Sequence, residues 1–130
     1  DAVVLEHEAL VDAGRRVAAR RVAPEVVGIA LRDTEPEVRR IVAQRIPLDQ
    51  LTPMMFDPDP LVRIEVALRL EPHRLGVLVH DSDLRVRFTV AERGGADLLQ
   101  YLKHDRDPEV RSLAIARLSE ITGGADGAGA

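Results

Sequence analysis

Residues 57–70 read DPDPLVRIEVALRL, and this stretch decides the fold. Asp59 is a suitable N-cap, because its carboxylate can accept hydrogen bonds from the free N–H groups of a first helical turn. Pro60 follows at the first helical position, where its missing N–H costs nothing. Val62, Val66 and Leu70 then recur at intervals of four residues as one apolar stripe. The pattern predicts an amphipathic α-helix that begins beside Pro60.

The same residue types return every 24 positions along the chain. One column consists of the aspartates Asp33, Asp57, Asp81 and Asp105. Two arginine columns consist of Arg15, Arg39, Arg63, Arg87 and Arg111, and of Arg21, Arg45, Arg69, Arg93 and Arg117. We therefore predict one domain over residues 1–122 with about five repeats, at 7–30, 31–54, 55–78, 79–102 and 103–122. A period of this length is typical of a solenoid, in which each repeat contacts mainly its neighbours.

Each predicted helix ends within its repeat, and a short apolar segment follows. Pro47, Pro72 and Gly94 lie at or just after the predicted helix ends, as residues that break helices should. Leu75 and Leu78 mark the second segment of the third repeat, which has room for two turns at most. This length fits a 3₁₀-helix or a very short α-helix. Apolar residues do not alternate with period two, so strands are not expected.

The last eight residues, 123–130, read GGADGAGA. They contain no large apolar side chain that could anchor them to a core. We therefore predict a flexible Gly/Ala tail that follows the repeats.

Composition restricts the classes of function. The chain contains no cysteine, which excludes disulfides, thiolate metal sites and thiol catalysis, and we expect no cofactor. Its net charge of −4 disfavours non-specific nucleic-acid binding. Neither a nucleophile elbow nor a glycine-rich phosphate loop occurs, so we expect no enzymatic activity. An apolar run of membrane-spanning length and a signal peptide are also missing, which favours a cytoplasmic location.

The repeated columns resemble a known family. Asp-x-Asp-Pro-x-Val-Arg at residues 57–63, then Val66-Ala67, a Pro-containing turn and Leu-x-x-Leu at residues 75–78, are similar to the 24-residue leucine-rich repeat variant. The likeness covers about residues 7–122, and it extends more broadly to HEAT-type helical repeats. It implies an all-α fold, a right-handed superhelical solenoid that alternates α-helices with short 3₁₀- or α-helices.

The resemblance also carries expectations about function. It implies a bacterial protein, and some members have a cysteine-bound 4Fe–4S cluster ahead of the repeats and an association with nitrogen fixation. This chain departs from those members, because without cysteine it cannot hold that cluster.

Aspartates and arginines six residues apart form a candidate ladder. Its members are Asp33, Asp57, Asp81 and Asp105 with Arg39, Arg63, Arg87 and Arg111. In the structural interpretation, each carboxylate accepts from turn N–H groups and pairs with a guanidinium of the same or the next repeat. In the functional interpretation, the ladder is a charged rail for phosphate or an acidic partner. We favour the structural interpretation, because a residue needed in every repeat usually serves stacking.

One helix face breaks the repeat. Leu61, Ile64 and Leu68 are aliphatic where the preceding repeat has Glu37, Arg40 and Gln44. Phe88 lies one repeat beyond Ile64. We predict that these four apolar residues form an exposed patch that binds a protein partner. The alternative is that other parts of the chain cover them as core.

These observations predict a non-enzymatic helical-repeat scaffold for protein–protein interaction in a bacterial cytoplasm. Its partner and its oligomeric state are left open. Two alternatives are the repeat half of an iron–sulfur protein linked to nitrogen fixation or metallocluster metabolism, and nucleic-acid binding along the arginine columns.

Overall fold

The structure is a computed structural model that describes Gly28 and residues 31–129, with side chains up to Gly123. The predicted first repeat, 7–30, therefore lies outside the described residues apart from Gly28. The chain divides into two compact units, Asp1–Arg69 and Leu70–Ala130. Each unit is built of helices, and no strand occurs among the described residues.

The described part of the first unit contains two α-helices with a 3₁₀ segment between them. Helix α1 spans Pro36–Arg45 and helix α2 spans Pro60–Arg69. The 3₁₀-helices η1, Leu48–Gln50, and η2, Thr52–Phe56, connect them. Helix α1 packs directly against α2, and η2 also contacts α2. Successive repeats therefore stack side by side within this unit.

The second unit continues the same alternation with one change. It contains the 3₁₀-helix η3, Pro72–Leu78, and the helices α3, Leu84–Arg93, α4, Ala96–Leu102, and α5, Pro108–Gly129. Both α3 and α4 pack against α5. The all-α prediction and the alternation of α-helices with short 3₁₀- or α-helices are confirmed for the described residues. The right-handed superhelix stays a prediction.

Aspartate side chains begin three of the described helices, and Asp59 is among them as predicted. The Asp59 Oδ1 atom accepts a 2.7 Å hydrogen bond from the Leu61 N–H, and the Asp83 Oδ1 atom accepts a 2.8 Å bond from the Arg85 N–H. Asp107 accepts from the N–H groups of two residues, Glu109 and Val110. The side chain of Glu35 makes no such bond ahead of α1. Its longer side chain is not a favoured N-cap.

The predicted apolar stripes form the cores of the two units. Val62, Val66 and Leu70 are at most 1% exposed. In the preceding repeat Val42 and Ile46 are fully buried. The second segments complete the core with Leu51, Met54, Leu75, Leu78, Leu99 and Leu102. The interior is thus almost entirely aliphatic.

The second segments differ in helix type. Pro53 lies at the start of η2 and Pro72 at the start of η3, and both segments are 3₁₀-helices. The fourth repeat has no proline between Gly95 and Leu102, and it forms the regular seven-residue helix α4. Gly94 leaves room for this helix, because an added Cβ would lie 3.2 Å from Leu98 Cδ1.

The last helix extends into the residues predicted as a Gly/Ala tail, 123–130. The backbone of α5 remains helical through Gly129. No proline interrupts residues 119–129, and Ala125 and Ala128 have high helix propensity. A helix can therefore continue past the last core contact, at a cost from each glycine. The flexibility of residues 123–130 stays a prediction.

A buried and an exposed residue of η3 allow a matched test of this core. Leu75 is fully buried and Val77 is 45% exposed. We expect Leu75→Ala to lower the free energy of unfolding by about 2–5 kcal/mol, because it leaves a cavity. Val77→Ala should change it by roughly 0.5 kcal/mol. Urea unfolding followed by circular dichroism measures both, and equal effects would contradict this description of the core.

Candidate functional site

The aspartate column shapes the turn before each α-helix. In all four members the Oδ1 atom accepts from the backbone N–H two residues later. The distances are 2.8 Å for Asp33, and 2.9 Å each for Asp57, Asp81 and Asp105. This is the local side-chain-to-backbone bond that favours a turn over a continued helix. Each aspartate thus fixes the chain direction just ahead of a helix.

The arginines of the first column, Arg39, Arg63, Arg87 and Arg111, stabilise the same turn by binding its backbone carbonyl. In each case Nη1 donates to the backbone carbonyl of the aspartate six residues earlier. The distances are 2.7 Å for Arg39 and Arg63, 2.8 Å for Arg87 and 2.9 Å for Arg111. The spacing of six residues therefore has a direct geometric cause.

The remaining donors of these arginines reach the next repeat. Arg39 Nε lies 2.8 Å from Asp57 Oδ2, and its Nη2 lies 3.3 Å from Asp57 Oδ1. Arg87 repeats the arrangement on Asp105 with distances of 2.8 and 3.2 Å. A guanidinium bound to a carboxylate through two parallel bonds is the strongest geometry for such a pair. The structure brings these predicted residues together as a link between repeats.

Both links are shielded from solvent. The side chains of Arg87 and Asp105 are 5% and 6% exposed, and those of Arg39 and Asp57 are 11% and 5% exposed. Burial alone would raise the pKa of Asp105, but hydrogen bonds from the Arg87 guanidinium and the Asp107 N–H outweigh it and lower that pKa. The carboxylate therefore stays ionised opposite its arginine.

The second arginine column points in the opposite direction along the chain. Arg69 Nη1 donates to the Ala43 carbonyl at 2.8 Å, Arg93 Nη1 to the Leu70 carbonyl at 2.6 Å, and Arg117 Nη1 to the Ala91 carbonyl at 2.9 Å. Ala43 and Ala91 lie in the last turns of α1 and α3, where carbonyl groups lack intrahelical partners. Arg69 and Arg117 thus cap the helix of the preceding repeat in their own units.

The predicted apolar patch is divided between the two units. On α2, Leu61 is 36% exposed and Leu68 is 48% exposed, while Ile64 between them is half-buried. Spacings of three and four residues place them on one side of the helix, and we call them the α2 aliphatic stripe. Phe88 belongs to α3 of the second unit and is half-buried. The structure thus leaves the stripe open to solvent within its unit.

The second unit also contains a half-open cleft of about 330 Å³. His80 and Tyr101 line it, with their ring centroids 5.5 Å apart and the rings nearly perpendicular. The paired side chains of Arg87 and Asp105 lie at its wall. Within the described residues, no group of three or more His, Asp or Glu side chains is placed to hold a metal ion. No helix of the described part has the length and apolarity needed to cross a membrane.

The repeat is similar to a repeat found in known proteins. The family model for the leucine rich repeat variant matches residues 36–59, which run from α1 through η2 to the next aspartate turn. A solved structure described as "a leucine-rich repeat variant with a novel repetitive protein structural motif" has a TM-score of 0.71 and 35% sequence identity. The chain carries leucine-rich repeat variant (LRV) repeats.

The match to that structure covers different shares of the two chains. The match covers 88% of this chain but 46% of the other, so the chain spans less than half of the LRV protein that it resembles. A comparison with curated proteins gives no significant match. The shared repeat therefore establishes a helical-repeat fold and leaves the partners to be proposed.

Two arginines on α3 test the link between LRV repeats. Arg87 is buried on Asp105, whereas Arg85 is 54% exposed beside Asp83. We expect Arg87→Ala to lower the free energy of unfolding by about 3–5 kcal/mol, because it leaves a buried carboxylate without its partner. Arg85→Ala should cost less than about 1 kcal/mol. Urea unfolding of both variants measures the difference, and similar losses would contradict a linking role for Arg87.

The aspartate turns should make stability fall in acid. The hydrogen bond from the Arg85 side chain is the main cause that lowers the pKa of Asp83 from 3.8 to about 2. A carboxyl whose folded-state pKa lies below its unfolded value stabilises the fold above the unfolded pKa, and that stability is lost as the pH falls from about 4 towards 2.

Urea midpoints between pH 7 and pH 2 measure this dependence. Asp83→Asn retains a good N-cap, so it should keep the fold and flatten the decline below pH 4. Asp49→Asn, a change at an exposed aspartate of η1, serves as the control. An equal decline in the wild type and in Asp83→Asn would show that Asp83 does not contribute.

Proposed function

We propose that this LRV-repeat chain is a non-enzymatic scaffold for protein–protein interaction and that the α2 aliphatic stripe contacts its partner. The observation that carries the proposal is the exposure of Leu61 and Leu68, 36% and 48%, on a helix whose opposite side already supplies the core. The preceding helix has polar residues, Glu37 and Gln44, at the offsets of these two leucines. Exposed apolar patches often mark sites of protein interaction.

The arginine columns support a structural role over nucleic-acid binding. The guanidinium groups of Arg39 and Arg87 are held by carboxylates and carbonyls and are largely removed from solvent. Binding to nucleic acid requires arginine or lysine side chains that can reach the phosphates from an accessible surface and displace the counterions condensed on them. We therefore place the nucleic-acid alternative second. The iron–sulfur alternative and the cytoplasmic location stay predictions.

Two variants test the role of the stripe. Leu61→Glu combined with Leu68→Glu introduces charge on the stripe, and Val77→Glu introduces it at a 45% exposed position of η3. We expect the double variant to capture at least about tenfold less of the proteins that the wild type captures from a bacterial lysate. A tenfold loss of affinity corresponds to about 1.4 kcal/mol. Val77→Glu should retain them.

Capture would be quantified by mass spectrometry, after circular dichroism has verified that all variants keep their helix content. The proposal predicts that the same proteins bind the wild type and Val77→Glu but not the double variant. Retention of every partner by the double variant would refute the role of the α2 aliphatic stripe.

A further inference from the structure

The half-open cleft of the second unit is lined in part by residues that the stacking of repeats does not require. Its lining comes from the turn before α3 and from the segment that joins the end of α4 to α5. Tyr101 and Arg106 belong to that segment, and the preceding repeat has Val77 and Ser82 at their offsets. These two lining residues therefore belong to no repeated column.

Four side chains bring hydrogen-bond donors to this cleft, namely His80, Tyr101, His104 and Arg106. The rings of His80 and Tyr101 meet edge to face, with their centroids 5.5 Å apart. Within the described residues, neither the two imidazoles nor the Tyr101 hydroxyl forms a hydrogen bond. All four side chains are exposed. Their donors are therefore available to a ligand.

Arg106 gives the cleft a positive charge. Its Nη2 atom lies 3.4 Å from the Ser82 carbonyl, and its other N–H groups have no partner among the described residues. Asp105 is the one acid among the described lining residues, and its two oxygens already accept from Arg87 and from the Asp107 N–H. The Arg106 guanidinium can therefore bind an external anion without giving up an ion pair.

Size and donor number select the class of ligand. A cleft of about 330 Å³ has the volume of a small-molecule site. The side chains of Val79 and Leu102, which are 6% and 2% exposed, add an apolar part to its lining. Donors from four side chains exceed what the two oxygens of a carboxylate need, whereas a phosphate monoester presents three strongly accepting oxygens. The complement is a small phosphate ester with a short apolar group.

We propose that this cleft is a binding site for a small organic phosphate. Arg106 pairs with the charge of the phosphate, the two imidazoles and the Tyr101 hydroxyl donate to its oxygens, and the aliphatic lining contacts its apolar group. This site goes beyond the scaffold function. It lies in the second unit and uses no residue of the α2 aliphatic stripe, so either proposal can fail without the other.

Two spectroscopic signals report directly on the cleft. NMR of isotope-labelled histidine separates the imidazoles of His80 and His104 from that of His73, which is exposed beside Glu71 and does not line the cleft. Tyr101 is the only tyrosine in a chain without tryptophan, so its fluorescence is a second reporter. We expect butyl phosphate to change both cleft signals over the same concentration range and to leave His73 unchanged.

Three further probes define the ligand. Inorganic phosphate should bind at least about fourfold more weakly than butyl phosphate, because it lacks the methylene groups that contact the aliphatic lining. Butyrate has a similar apolar group but a smaller charge and fewer oxygens, so it should bind at least about tenfold more weakly than butyl phosphate. A single-stranded oligonucleotide at the same phosphate concentration should leave the cleft signals unchanged.

Matched variants assign the binding to named side chains. Arg106→Ala should weaken binding of butyl phosphate by at least about tenfold, because hydrogen bonds from a charged donor are lost. Arg85→Ala removes the same charge from an exposed arginine outside the cleft and should change binding by less than about twofold. His104→Ala should also weaken binding, whereas His73→Ala should not. All four positions are exposed, so circular dichroism should show unchanged helix content.

Several results would overturn the proposal. Butyl phosphate that shifts no cleft signal, or that shifts His73 equally, would show that the cleft is not a site. Binding that survives both Arg106→Ala and His104→Ala would place the phosphate elsewhere. Equal binding of butyrate would make the site one for carboxylates, and a larger response to the oligonucleotide would make nucleic acid the occupant.

Discussion

The stacking of LRV repeats depends on one interaction, the two-bonded contact between a buried arginine and the aspartate of the next repeat. Arg87 simultaneously holds the carbonyl of its own Asp81 and the carboxylate of Asp105. A single planar cation therefore fixes the turn before its own helix and the turn before the next one. Lysine could not replace it, because a point charge on a flexible stem lacks the fork geometry. This constraint explains why the column is always arginine.

Hydrophobic burial supplies the affinity between repeats, and the arginines supply the register. The aliphatic core of Val62, Val66 and Leu75 would tolerate small sliding movements, because burial is not directional. The Arg39–Asp57 contact permits no such movement, because its two bonds require both oxygens in place. In the second column, Arg69 and Arg117 donate to carbonyl groups near the helix ends of the preceding repeat. These bonds restrain the repeats from the opposite direction along the chain. The α1–α2 joint of the first unit and the α3–α5 joint of the second are thus held from both sides.

Much of this fold could be predicted from the sequence because its signals are local and repeated. The helix start at Asp59-Pro60 and the stripe at Val62 and Val66 follow from capping and periodicity. The pairing of Arg39 with Asp57 was within reach, since both belong to columns of fixed offset. Partners of Arg93 and Arg117 were missed, because a backbone carbonyl has no sequence signature. The only available signal was that every repeat contains an arginine there.

Other differences have equally specific causes. The sequence predicts a short second segment in every repeat but does not specify its helix type, because proline at a first position is found both in the 3₁₀-helix η3 and in the regular helices α1 and α2. The backbone of α5 is helical to Gly129, an extent that the glycine content of its last turns does not indicate. Whether Ile64 and Phe88 form one surface depends on long-range placement, which repeat offsets do not specify.

The burial of the joints has a consequence for the ionic conditions under which the protein can keep its shape. Dissolved salt screens interactions between exposed charges, with a Debye length of about 8 Å at physiological ionic strength, but it screens buried pairs far less. The side chains of Arg87 and Asp105 are only 5% and 6% exposed. The connection between these two repeats should therefore be nearly indifferent to osmotic changes that alter cellular salt, whereas the exposed Arg85–Asp83 contact weakens with each of them.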